Sequence, residues 1–82
     1  MAIAGLLVHC ANDARESVEN LIRPMRELTL FGTHLDQYIV VVAETPSSEM
    51  EACVDRLGDI EGILAVYTTF MSFEDELPDV LD

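Results

Sequence analysis

Apolar positions along this chain recur at two different periods, and the switching between them predicts six elements. Ile3 to His9 is a short apolar run bounded by polar residues, which reads as a buried strand. Asn12 or Asp13 is placed to cap a helix whose apolar residues Ala14, Val18, Leu21, Ile22 and Met25 form one stripe, with Pro24 near its end. Arg26 to Phe31 alternates, Leu28 and Leu30 on one side against Glu27, Thr29 and Phe31 on the other, as a half-buried strand does. Gly32 to Asp36 supplies a turn into a second β-branched apolar strand, Tyr38 to Ala43. Pro46, Ser47 and Ser48 open another helix, and Ser48 with Glu51 has the spacing of a capping box. Its stripe is Met50, Cys53, Val54, Leu57 and Ile60, and Gly58 or Gly62 helps to end it before a last strand, Leu64 to Met71.

The order β-α-β-β-α-β carries a faint internal repeat. Residues 36 apart match, as in Val18 with Val54, Leu21 with Leu57, Ile3 with Ile39, Leu28 with Leu64 and Phe31 with Tyr67. Two β-α-β halves with right-handed crossovers place both helices on the same side of one sheet. The expected fold is therefore an α+β ferredoxin-like sandwich, a four-stranded antiparallel sheet with two helices on one face. Residues 1–73 are expected to form a single domain, and residues 74–82 an acidic, flexible C-terminal tail containing Pro78.

Period 2 divides each strand between the covered and the open face. Leu28 and Leu30, with their repeat mates Leu64 and Val66, are expected under the helices. His9 is the polar marker of the first strand, so its side, with Ile3, Gly5 and Leu7, is expected to be open, and Ala4, Leu6 and Val8 to be covered. The repeat then places Val40 and Val42 in the core and Ile39, Val41 and Ala43 outside. On that reading Ile3, Leu7, Phe31, Ile39, Val41, Ala65, Tyr67 and Met71 form an open face that is apolar for a sheet without a second layer. A large uncovered apolar patch marks an interaction surface, for an unrelated partner or for a second copy of the chain.

Composition narrows the partner. The net charge of -12 excludes nucleic acid and disfavours anionic membranes, since both require basic side chains. The acidity serves either solubility or the steering of a basic partner. Two cysteines, Cys10 and Cys53, are too few for a disulfide-stapled secreted domain and read as reduced thiols. The apolar run from Met1 to Val8 lacks a basic n-region and is too short to span a bilayer, so a cytoplasmic location is expected. No C-x-x-C occurs, and the adjacent His9 and Cys10 point to opposite faces of a strand, so no metal site is expected. With no phosphate loop and no nucleophile with a base and an orienting group, neither a cofactor site nor catalytic residues are expected.

Three stretches carry a family resemblance. Gln37-Tyr38-Ile39-Val40-Val41-Val42, the first-strand segment Gly5-Leu6-Leu7-Val8, and Ile60-Glu61-Gly62-Ile63-Leu64-Ala65-Val66-Tyr67 followed by an acidic tail resemble the NapD family, the assembly chaperones of periplasmic nitrate reductase. The likeness runs from about Ala4 to Phe73, and Glu61-Gly62-Ile63-Leu64-Ala65-Val66 is its most specific part. Arg23-Pro24-Met25-Arg26 departs from it, because the family usually has a glycine after the proline. The resemblance implies a ferredoxin-like fold, a cytoplasmic location, and binding of the twin-arginine signal peptide of the catalytic subunit, holding that subunit back until its molybdenum cofactor is inserted. Such a leader is basic at one end and apolar in the middle. The residues expected to meet it are Ile3, Leu7, His9, Phe31, Ile39, Val41 and Tyr67 on the open face, with Glu27 and Glu44 flanking it. The competing reading is a small regulatory or ligand-binding module of the same fold acting as a homodimer.

Overall fold

Six elements follow the predicted order: β1 (Ala2–Cys10), α1 (Arg15–Ile22), β2 (Leu28–His34), β3 (Tyr38–Thr45), α2 (Ser47–Gly58) and β4 (Ile63–Phe73). The computed structural model describes residues 1–73, so the tail expected over 74–82 lies outside the described residues. All strand pairs are antiparallel and the sheet order is β2-β3-β1-β4, the ferredoxin-like arrangement. Helix α2 packs on β3 and β4, and α1 on β2 and β3.

The layer between sheet and helices is built from apolar side chains, Glu19 and Thr45 being the buried polar residues among those described. Leu6 and Val8 from β1 and Ile39 and Val41 from β3 meet Val18 and Ile22 of α1 and Cys53 and Leu57 of α2. Removing a side chain of this size from water contributes about 1.5–3 kcal/mol. The buried Glu19 is satisfied inside this layer: Arg15 donates to it at 2.8 Å and Arg23 at 3.4 Å, both one helical turn away.

The β3 faces are the reverse of those expected. Ile39 and Val41 are 0% exposed and Ala43 is buried, whereas Val40 is 39% exposed. The β1–β3 register explains this, since Leu6 pairs with Val41 and Leu7 with Val40, and directly opposed residues share a face. The working repeat is 35 residues, which superposes Leu6 on Val41, Val18 on Cys53 and Ile22 on Leu57, all of them buried. An offset of 36 is one residue out, and at period 2 a one-residue slip sends every side chain of a strand to the other face.

Three bulges interrupt the outer strands. Phe31 is the extra residue between Leu30 and Gly32 of β2. Leu64 and Thr69 are extra residues of β4, at its two register shifts against β1. Leu64, expected under the helices, is therefore 62% exposed, and the shift at Thr69 pairs Met71 with Ala4, on the helix side. Neither helix has the side-chain cap expected of it. Asp13 takes φ 63, leaving Ala14 as the N-cap of α1, and Pro46 stands at the N-cap of α2 with Ser48 already inside the first turn. The predicted turn is shorter than expected. Strand β2 runs to His34, and Leu35 and Asp36, at φ 56 and 58, make a tight hairpin turn of the primed type.

Gly62 shows why a glycine opens β4. Its φ of 100 is open to few other residues, its carbonyl accepts from Ala11 N–H at 2.8 Å, and a Cβ there would press on Ala14 Cβ at 3.1 Å and Val18 Cγ2 at 3.2 Å. One residue thus fastens the α2–β4 turn to the start of α1.

Candidate functional site

The face of the sheet opposite the helices is the one extended surface that no described element covers. Strand registers order it into rows. The middle row runs Gly32, Val40, Leu7, Tyr67. On one side of it lies Thr29, Val42, Gly5, Phe70, and beyond that Glu44, Ile3, Ser72. On its other side lies His34, Tyr38, His9, Ala65.

The centre of this face is apolar and only partly shielded. Leu7 and Val42 are half-buried, Val40 is exposed, and Tyr67 and Phe70 are each 52% exposed. Phe70 lies where it does because β1 has a glycine beneath it. A Cβ on Gly5 would overlap the Phe70 ring and stand 2.6 Å from Thr69 Oγ1. The ring fills a place in the sheet surface that any larger residue would occupy itself.

The two ends of the face differ in charge. At one end the His9 and Tyr38 rings stack with centroids 4.6 Å apart and planes 18° apart, and His34 tilts against Tyr38 at 6.2 Å. At the other end Glu44 is exposed beside Ile3. Three of the chain's four basic side chains, Arg15, Arg23 and Arg56, form ion pairs in the helix layer. Glu27 belongs with them, since Arg56 of α2 donates to its carboxylate at 3.1 Å.

The residues expected from the sequence to meet a partner therefore divide. Ile3, Leu7, His9 and Tyr67 share the open face with Glu44. Phe31, 67% exposed, stands at the β2 bulge on the sheet edge. Ile39 and Val41 are core residues and leave the surface. Sequence reasoning missed Val40, Val42 and Phe70. Gly5 was the available signal for Phe70, because a glycine inside an apolar strand marks the close approach of another group.

The remaining chemistry is structural. Burial pushes the Cys10 and Cys53 thiols above their ordinary range, which suppresses the reactive thiolate. For Cys10, Glu19 adds to the rise and Arg15 opposes it; for Cys53, Arg56 opposes it and Glu27 adds to it. Among the described residues no cluster of three His, Cys, Asp or Glu side chains is placed to hold a metal ion, and no helix is long and apolar enough to cross a membrane. Two open grooves lie off this face. A polar one of about 300 Å³ is lined by Asp13, Arg15, Glu16 and Asp36. An apolar one of about 340 Å³ runs between α2 and β4, past Met50, Val54 and Met71.

Comparison with known proteins gives one match: a family model described as NapD protein covers residues 1–75. No curated protein and no solved structure matches.

Proposed function

Because the chain belongs to the NapD family of nitrate reductase assembly chaperones, matched over residues 1–75, we propose that it binds the twin-arginine signal peptide of the catalytic subunit of periplasmic nitrate reductase. Binding takes place in the cytoplasm and delays export until the molybdenum cofactor is inserted. The observation that carries this reading is the uncovered apolar sheet face on a chain of net charge -12. A twin-arginine leader is complementary to both properties, since its apolar segment is drawn to Leu7, Val40, Tyr67 and Phe70 and its arginines to the acidic field. A bound leader is withheld from the export machinery, so residence on the chaperone sets the delay.

The same face on a homodimer would bring two chains of charge -12 together, which like-charge repulsion opposes. The apolar contact supplies most of the affinity, because exposed ion pairs contribute only about 0–1 kcal/mol each. Charge instead speeds encounter. Titration calorimetry with the leader peptide, followed by stopped-flow association at several salt concentrations, tests this. Binding is expected to be saturable, with association slowing more than dissociation quickens as the Debye length falls to about 8 Å at physiological salt. Absence of binding, with the chain self-associating through this face, would replace the proposal by the homodimeric module.

A further inference from the structure

Resting on that reading of the face, the geometry points to a single orientation of the bound leader: its arginine pair at Glu44 and its apolar segment running over Val40 and Leu7 towards His9, so that it travels in the direction of β1. Glu44 is the only carboxylate that the strand registers place on the open face, and among the described residues it has no ion-pair partner. Two acids at the sheet's margins have an arginine beside them. Glu27 is held by Arg56 at 3.1 Å, and Asp36 lies 3.7 Å from Arg15 of α1. Among the described residues that the registers place on this face, a guanidinium arriving over the apolar centre thus meets one carboxylate, Glu44, at one end.

The opposite end offers no such partner on the open face. The row there is His34, Tyr38, His9 and Ala65, which holds no carboxylate, and its His9 and Tyr38 rings are stacked on each other. Glu44 and Val40 stand four residues apart on one face of β3, about 13 Å at the rise of a strand. In a helical ligand that distance corresponds to about nine residues, enough to separate a basic start from the middle of an apolar segment.

The test uses the full chain labelled with nitrogen-15. The probe is a synthetic leader with two adjacent arginines followed by alanines and leucines, carrying a nitroxide either before the arginines or after the apolar segment. The label before the arginines is expected to broaden the amides of Ile3, Val42 and Glu44 and spare those of Tyr38, His9 and Ala65; the label at the far end should do the reverse. Glu44→Gln should weaken binding about two- to fivefold, as loss of one exposed charge pair does, and the loss should vanish when the probe's arginines are glutamines. Broadening in the opposite sense, or equally at both ends, overturns the orientation while leaving the leader bound to the face. The same holds for a Glu44→Gln effect of equal size on both probes. No shift of any amide in either titration would overturn the signal-peptide reading, and the orientation with it.

Discussion

Placing a carboxylate at Val41 should unfold the protein, whereas placing it one residue earlier, at Val40, should leave the fold standing. Val41 is 0% exposed, paired with Leu6 on one side and Leu30 on the other. Val41→Asp forfeits the transfer of a valine side chain, about 1.5–3 kcal/mol. It also buries a carboxyl group among apolar neighbours, at a further cost of about 2–7 kcal/mol. At about 0.05–0.15 kcal/mol per residue, a chain of this length has roughly 4–12 kcal/mol of stability in all, so the two losses together consume most or all of it. Val40 is 39% exposed on the open face. Val40→Asp therefore keeps its charge in water and loses about 1 kcal/mol of strand preference. Urea melts of both variants followed by far-ultraviolet circular dichroism read the difference directly. Folded Val40→Asp should then bind the leader peptide more weakly, because a charge stands in the middle of the apolar row. A Val41→Asp protein as stable as the parent, beside a collapsed Val40→Asp protein, would refute the face assignment and restore the 36-residue register.

Gly5→Ala should displace the Phe70 ring from its seat and alter the relief of the open face with little change in the helix-side core; the aromatic resonances of Phe70 should shift, and an unmoved ring would show that the seat is not needed. The buried thiols predict an alkaline limb. Because burial raises the folded pKa values of Cys10 and Cys53 above the ordinary 9.0, the stability they contribute is complete below that value and is lost as pH rises from there through the higher folded pKa values. Thiolate absorbance should accordingly develop at higher pH in the folded protein than in urea, and coincident curves would contradict the burial.

Element order was legible because the two periods are cleanly separated, and β1 could be oriented because His9 is the one polar side chain in an apolar run. Strand β3 offers no such marker. Ile39 to Ala43 is apolar on both sides, so its faces were assigned through the internal repeat, whose residue identities fall at an offset of 36 whereas the strands superpose at 35. The pairing of Leu6 with Val41 separates them, and that is a tertiary fact. Met71 and Leu64 went astray for a related reason, since bulges at Thr69 and Leu64 reset the alternation without any signal in composition. Leu21 fits the α1 stripe by spacing yet is exposed, the buried residues of that helix being Val18, Glu19 and Ile22. Glu44 was identified as flanking the face; that Glu27 is already engaged required the position of Arg56.

The bulges also govern how the protein behaves in a crowd. Both outer strands are interrupted, β2 at Phe31 and β4 at Leu64 and Thr69, while the inner β1–β3 pair runs in unbroken register. An interrupted outer strand is a poor template for another backbone, because the ladder of free N–H and C=O groups loses its regular spacing. Sheet-to-sheet growth into fibres is thereby discouraged at both margins. A protein that keeps an apolar surface bare while waiting for its client needs such protection, and here the irregularity is confined to the strands where polymerisation would begin.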